Sequence, residues 1–276
     1  MFLVFDIGGT NMRIATSLDR KTLSATKIVP TPQDFEKALV VFKQAGDELS
    51  KGEKIEAAVV GVAGPIDKDK TMLVASPHIS GWIQKPLKSE LEKIYNCPVF
   101  IEHEADLQGL AEATLGAGKG YKIVANLILG TGIATTRIVN GKIDTNSLGF
   151  EAGHQIIVAD GSPCDCGGKG HLEAYVSGSG LERIYHKRGE EITDPKIWDL
   201  TARYLAIGLN NVTVFWSPDV IVLGGVVMKS INLETVKSYL KEVLTIFPTP
   251  PNIVQAKLGD SSGLYGALAL IGQTHP

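Results

Sequence analysis

Three short stretches of this chain place bare backbone where an anion can be bound. Asp6-Ile7-Gly8-Gly9-Thr10-Asn11-Met12-Arg13 follows an apolar run and opens a hairpin-like stretch. Glycines let backbone N–H groups turn toward an anion with no Cβ in the way. Thr10 adds a hydroxyl donor, and Arg13 lies just beyond it. Asp6, at a strand end beside such a turn, can hold a water of Mg²⁺, the cation that carries the charge of phosphates. Leu129-Gly130-Thr131-Gly132 is a second backbone-donor turn, and Val222-Leu223-Gly224-Gly225 a third. The third ends a strand and precedes a helix, where a nucleotide's sugar or base can lie against bare backbone. None matches the GxxxxGK[ST] pattern of a Walker A loop. Singly, each is also compatible with an ordinary turn. Their order and spacing carry the signal.

The elements that must position these turns alternate. Strand-like apolar runs cover Phe2–Asp6, Met12–Leu18, Ala57–Val62, Val99–Glu102, Ile123–Leu129, Thr135–Val139 and Val220–Leu223. Helical patterns cover Gln33–Leu49, Leu87–Tyr95, Ala105–Leu115, Leu172–His186, Lys196–Phe215, Leu233–Leu244 and Leu264–Ile271. Strands alternating with helices predict an α/β architecture. The first two glycine turns each follow one strand and precede another, which predicts a duplicated fold with a cleft between its halves. The flexible stretch Gly116–Gly120 marks the boundary. It separates a smaller N-terminal lobe, 1–115, joined by a C-terminal helix over 262–276, from a larger lobe, 116–261. Residues 149–173 are rich in Gly, Pro, Cys and His and read as an insertion built around something other than a hydrophobic core.

Composition narrows the class further. The chain has 276 residues, 44% of them hydrophobic and 21% charged, as suits a globular protein able to bury a substantial core. A net charge of -3 and the absence of a basic cluster on a candidate recognition helix argue against nucleic acid as a partner. The apolar opening Phe2–Phe5 has no basic stretch ahead of it and is too short for a signal peptide or a membrane span. Three cysteines, an odd count, argue against a disulfide framework and for a reducing, cytoplasmic location. Cys97, before Pro98 and an apolar run, reads as a small core residue.

Nearly end to end, the chain resembles the ROK group of sugar kinases and repressors, within the actin/hexokinase/heat-shock-70 superfamily. Asp6-Ile7-Gly8-Gly9-Thr10-Asn11-x-Arg13 looks like that family's first phosphate motif, and Gly61-Val62-Ala63-Gly64-Pro65-Ile66-Asp67 like its sugar-side loop. Leu129-Gly130-Thr131-Gly132-Ile133 is similar to its second phosphate motif. Glu151-Ala152-Gly153-His154, followed by Cys164-Asp165-Cys166-Gly167-Gly168-Lys169-Gly170-His171-Leu172-Glu173, resembles its sugar and zinc signature, the most specific of the set. Gly263-Leu264-Tyr265-Gly266-Ala267 is like the start of its C-terminal helix. The resemblance implies a two-lobed, actin-like (ribonuclease H-like) ATPase fold. It implies a hexose or N-acylhexosamine bound between lobes and transfer of the γ-phosphoryl group of Mg-ATP to a sugar hydroxyl, usually the 6-OH. Gly64 would lie on the sugar side, Glu151, His154 and Glu173 match positions that grip ring hydroxyls, and a homodimer is expected. The winged helix of the repressors has no room before a strand beginning at Phe2.

His154, Cys164, Cys166 and His171 supply two imidazoles and two thiols, the tetrahedral N/S set of a structural Zn²⁺. The Cys-x-Cys alone reads equally as two incidental cysteines in a glycine-rich loop; the flanking Gly-x-x-Gly, His171 and Glu173 favour metal. The family usually has Cys where His171 stands. Four protein ligands leave no open position, so the metal would fix a loop and activate no water.

Phosphoryl transfer to a hydroxyl needs a carboxylate to take the proton. Where the family has an Asn-Asp pair, this chain has His103-Glu104. Glu104 is therefore the expected base, one methylene longer than the family's Asp, and His103 the sugar contact in place of Asn. Its bland alternative is a carboxylate favoured at a helix N-terminus. His78 stands where family members often show Asn, and Thr135-Thr136 follow the second turn where glycines are common. Extra Cβ atoms there would be expected to narrow the approach of the phosphates. Two further readings stay open: a sugar-binding regulatory protein on the same scaffold, and a zinc hydrolase, which would need an open metal position.

Overall fold

The computed structural model describes residues 1–76, 79–146 and 149–274, so His78 lies outside the described residues. The chain forms two compact units, Met1–Ala111 with Asp260–Pro276, and Glu112–Gly259. The first crossing falls inside a helix, just ahead of the Gly116–Gly120 stretch.

The first unit is built on β1 (Phe2–Ile7), β2 (Asn11–Ser17), β3 (Thr26–Pro30), β4 (Ala57–Val62) and β5 (Val99–His103), with α1 (Phe35–Ser50), α2 (Leu87–Tyr95) and α3 (Glu104–Thr114) between and after them. Its sheet runs β3-β2-β1-β4-β5. β1 pairs antiparallel with β2 and parallel with β4. Both faces of β1 are covered, which is why Phe2–Ile7 is a continuous apolar run broken only by Asp6. Leu3, Phe5 and Ile7 join one core with Phe35, Phe42 and Trp82. Phe2 and Val4 join another, with Leu107, Leu264 and Leu268. α1 starts where Asp34 accepts a hydrogen bond from Lys37 N at 2.9 Å, and it buries Phe35, Ala38, Phe42 and Ala45 at helical spacing.

The second unit repeats the plan. It holds β6 (Ile123–Leu129), β7 (Ile133–Val139), β8 (Lys142–Ile143), α4 (Glu173–Val176), α5 (Gly178–Tyr185), α6 (Pro195–Trp216), β9 (Val220–Gly224), α7 (Leu233–Val243) and β10 (Asn252–Gln255). Its sheet runs β10-β9-β6-β7-β8, with β6 antiparallel to β7 and parallel to β9. In each unit the first two strands form a hairpin, and the first strand also pairs with the fourth. The turns at 8–10 and 130–132 therefore occupy equivalent positions. The long insertion between β8 and β9 carries the Cys/His loop and packs Leu172, Val176, Leu205 and Leu209 against Leu127, Leu129 and Leu223. The last helix, α8 (Ser262–Thr274), returns to the first unit and packs on β1 and β4.

Three strands escape the sequence pattern. β3 alternates exposed and half-buried residues at a sheet edge, and β8 and β10 are short. The single helix expected over 172–186 is two, because Ser177 is extended (φ -92°, ψ 163°) and its Oγ accepts from Gly180 N at 3.1 Å.

α8 closes on α3 only because Gly266 has no side chain: a Cβ there would lie 1.8 Å from Leu107 O. Gly272, in the same helix, has nothing within 4 Å of that position. Gly266→Ala is expected to cost about 3 kcal/mol or more by forcing the helices apart. Gly272→Ala should gain roughly 0.5–1 kcal/mol of helix propensity. Urea denaturation midpoints of the two variants check both signs.

Candidate functional site

The residues singled out by sequence fall into two groups, one in each unit. In the first unit, Asp6 and Arg13 are register partners across β1 and β2, with Arg13 Nη1 3.8 Å from Asp6 Oδ2. The turn between them closes through Gly8 N donating to Asn11 O at 3.0 Å. Its carbonyls are tied by the segment that follows β3. Thr31 Oγ1 donates to Gly8 O at 2.8 Å, Gln33 Nε2 to Gly9 O at 3.1 Å, and Thr31 N to Thr10 O at 2.9 Å. Among the described residues, the N–H groups of Gly9 and Thr10 have no partner. A turn with its carbonyls held and its amides unspent is an anion-binding concavity.

Glu104 begins α3 beside this turn. β4 makes room for it through Gly61, whose missing Cβ would stand 2.7 Å from Leu107 and 3.7 Å from the Glu104 backbone. Burial pushes the Glu104 carboxyl up to about 7; the Asp6 charge adds to the rise and Arg13 opposes it. Burial likewise raises Asp6 to about 6, with Arg13 opposing and Asp260 adding. Gly263 of α8 packs against the Asp6 carboxyl so closely that a Cβ would fall 2.6 Å from its Cγ. His103 ends β5, and burial holds its imidazole below the usual histidine range. Its neighbour Glu102 is buried, raised by that burial, and ion-paired to Lys70. Lys70 belongs to the loop that starts at Gly64, whose φ of +131° and contact with Ala75 O (2.5 Å from a Cβ) admit only glycine.

In the second unit the turn Gly130–Gly132 is held by other means. Gly178 N and Ser179 N, at the start of α5, donate to Gly130 O and Thr131 O at 2.8 and 3.0 Å. Ile133 N donates to Glu173 Oε2 at 2.7 Å. A Cβ on Gly132 would meet that same oxygen at 2.7 Å. The N–H groups of Thr131 and Gly132 have no partner among the described residues. Gly225 (φ +91°) packs on β6 so tightly that a Cβ would lie 2.3 Å from Leu129 O, which brings Gly224-Gly225 beside the turn.

His154 closes a 3₁₀ turn, Ala152–His154, with Glu151 just before it. The segment is pinned by Thr135, whose Oγ1 accepts from Ala152 N at 3.0 Å and donates to Phe150 O. Thr135 and Thr136 are buried. Thr135 thus ties β7 to the segment that carries Glu151 and His154. Glu151 also lines a cavity of about 430 Å³ with Phe150, Gln155, Phe215 and Trp216; His154 and Glu173 are not among its walls.

The donor atoms of His154, Cys164, Cys166 and His171 lie within 4.8 Å of one another. Cys166 Sγ is 3.2 Å from His171 Nδ1, and Cys164 Sγ is 3.8 Å from His154 Nδ1. Tetrahedral zinc bonds to sulfur and nitrogen imply ligand–ligand edges of about 3.3–3.8 Å, so the set fits that ion. Glu173 Oε1 stands 4.0 Å from His154 Nδ1 and 3.6 Å from Cys164 Sγ. One carboxylate thus touches both the Cys/His cluster and the second glycine turn.

Sequence reasoning missed Thr31, Gln33, Lys70, Ser179 and the anchoring role of Thr135. A threonine or glutamine that ties a distant carbonyl has no local pattern to betray it. Lys70–Glu102 had one cue, a carboxylate at the end of an otherwise apolar strand.

The model of the ROK family matches residues 3–274. The N-acetyl-D-glucosamine kinase of Vibrio atlanticus is 33% identical over 306 residues, covering 98% of this chain and 99% of that one. A ROK hexokinase from Thermus thermophilus superposes with a TM-score of 0.88 at 30% identity, covering 97% of each chain. A ROK glucokinase from Streptomyces griseus, solved in complex with glucose and AMPPNP, gives a TM-score of 0.81 at 26% identity over 99% of each. The duplicated sheets with a glycine turn in each hairpin, the Cys/His cluster and a family match over almost the whole length agree: the chain belongs to the ROK family.

Proposed function

We propose that this protein transfers the γ-phosphoryl group of ATP to the 6-OH of a hexose, either glucose or an N-acylhexosamine. That it is a carbohydrate kinase follows from its family and from relatives that are glucokinases and N-acetylglucosamine kinases. The acceptor, the hydroxyl and the residue roles are our reading. The observation that carries it is Glu104: a half-buried carboxylate at the start of α3, raised to about 7, beside Asp6 and Arg13 of the first glycine turn. A general base works best with a pKa near the working pH.

In this reading Glu104 takes the proton as the sugar oxygen attacks the γ-phosphorus. The bond from phosphorus to the β,γ-bridging oxygen breaks, and ADP leaves with that electron pair. Backbone N–H groups of Gly9, Thr10, Thr131 and Gly132 donate to phosphate oxygens. Gly224-Gly225 offers flat backbone to the rest of the nucleotide. Asp6 would hold a Mg²⁺ ion, which would offset the charge of the phosphates, and Arg13 offsets the charge that Asp6 and Glu104 share. His103, Gly64, Glu151, His154 and Glu173 are the sugar-side contacts. His154, Cys164, Cys166 and His171 would hold a zinc ion whose chemistry is structural, fixing the loop that presents His154 and Glu173. The reading includes a cytoplasmic homodimer. Among the described residues no helix is long and apolar enough to cross a membrane.

A coupled ADP-release assay over a panel of hexoses and hexosamines tests the activity; kcat/KM should rise with pH through about 7 as Glu104 ionises. No turnover on any sugar, combined with sugar-dependent thermal stabilisation, would favour a sugar-binding regulator instead. Glu104→Gln should lower kcat by about 10²–10⁴-fold. The same substitution has an opposite effect on stability. Glu104 has a folded pKa of about 7 against 4.5 in the unfolded chain, so the fold favours its neutral form. The stability this neutral form contributes is full below pH 4.5 and lost as pH rises through about 7. Without bound ligand, Glu104→Gln should melt higher than the parent at pH 8, on the order of 5 °C, and equally near pH 4.5. Equal melting at pH 8 counts against a strained carboxylate. Metal analysis of the purified protein should return about one zinc per chain. A folded, active, zinc-free protein removes that part of the reading.

A further inference from the structure

The Cys/His loop reaches the second glycine turn by a route that does not pass through Glu173. Asp165 stands between the two cysteines. Its Oδ1 pairs with Arg183 Nη2, and its Oδ2 accepts from Ser179 Oγ at 2.9 Å. Arg183 Nη1 also donates to Pro163 O at 3.0 Å, so one guanidinium holds the chain on both sides of Cys164. Ser179 is the second residue of α5. Its backbone N–H, with that of Gly178, is spent on the carbonyls of Thr131 and Gly130. The start of α5 is thus gripped by the Cys-Asp-Cys segment on one side and grips the turn on the other. Ser177 Oγ fixes the same helix start by accepting from Gly180 N at 3.1 Å. The fit is close, since a Cβ on Gly178 would stand 3.2 Å from Gly130 O.

We propose that Asp165 is a positioning residue for phosphoryl-donor binding: through Ser179 and α5 it sets the turn Gly130–Gly132. An isolated exposed ion pair contributes little. Asp165 differs because both its oxygens are engaged and because its partner Ser179 itself hydrogen-bonds the turn. Removing the carboxylate takes away its bonds to both Ser179 Oγ and Arg183 Nη2, leaving Ser179 Oγ with Ser177 Oγ at 3.3 Å and Arg183 with Pro163 O. The turn then keeps the Glu173–Ile133 hydrogen bond but loses the restraint on its two carbonyl tethers. Its amides are no longer held in one geometry for phosphate oxygens. His154 is anchored separately, through Thr135 and the 3₁₀ turn, so the sugar side is not disturbed. The effect therefore falls on the nucleotide and spares the sugar. This inference rests on the reading in which the turn holds ATP phosphates.

The test compares the zinc-loaded parent with Asp165→Ala, Ser179→Ala and Ser179→Thr. It measures KM for ATP, KM for sugar, AMPPNP affinity by calorimetry, and zinc per chain. In Asp165→Ala and Ser179→Ala, KM for ATP and Kd for AMPPNP should both rise roughly fivefold. KM for sugar should stay within about twofold, with zinc retained. Ser179→Thr keeps the hydroxyl and should behave as the parent. Nucleotide binding unchanged in both alanine variants overturns the proposal. So does a rise accompanied by loss of zinc, or one matched by the sugar KM, because either marks general loosening of the loop. If Asp165→Ala does not fold, Ser179→Ala carries the comparison. A parent that binds no AMPPNP defeats the kinase reading itself, a result distinct from a parent and variants that bind equally.

Discussion

A backbone turn can bind an anion only if its carbonyls are committed elsewhere, and that requirement is met twice here by different means. A peptide chain alternates donors and acceptors, so successive amides cannot face a phosphate unless the intervening carbonyls are satisfied by the protein. In the first unit, Thr31 and Gln33 do this with side chains and one backbone amide. In the second, the amides at the start of α5 do it. The two sheets share one strand order, so the turns hold equivalent places, but the supports do not correspond. The support in the second unit comes from the insertion between β8 and β9.

The carboxylates of the first unit show the opposite economy. Asp6 is buried with the half-buried Glu104 beside it, and both are raised above the usual carboxylate range. Burying a charge beside a like charge lowers stability. Arg13 relieves only part of this, since its guanidinium is 3.8 Å from Asp6 and its side chain is 31% exposed. Structures keep such pairs where chemistry uses them. The surrounding glycines fit the same conclusion. Gly61 opens space for α3, and Gly263 lets α8 close over Asp6. Each omits a side chain so that a carboxylate can be held in a fixed place.

The loop 149–173 sends Cys164 and Leu172 into the core of the second unit, and polar contacts hold the rest. Thr135 pins its first segment, Glu173 ties its end to Ile133, and Asp165 ties its middle to α5. A four-donor cluster at its centre brings His154, Cys164, Cys166 and His171 within 4.8 Å of one another.

The sequence determined much on its own. Apolar runs at period two and at helical spacing located β1, β2, β4–β7 and β9 and most helices, because buried faces enforce those periods. Glycine turns and the Cys/His signature were legible for a related reason: a close approach that leaves no room for a Cβ, as at Gly132 and Gly225, or a cluster of donor side chains restricts residue type at a fixed position. β3, β8 and β10 were not legible, since short edge strands are recruited by a neighbour's open hydrogen bonds and need no pattern of their own. Nor was the break at Ser177, where a side chain recaps a helix that propensity would have continued. The site divides in the same way. Which residues are candidates for chemistry could be read from their types: Asp6, Glu104, His154, Cys164, Cys166, His171. How strongly Glu104 holds its proton, and which side chains restrain the turns, depend on burial and on contacts between residues far apart in the chain, such as Gln33 with Gly9 or Ser179 with Thr131. Those quantities exist only once the tertiary structure has brought the partners together and excluded water.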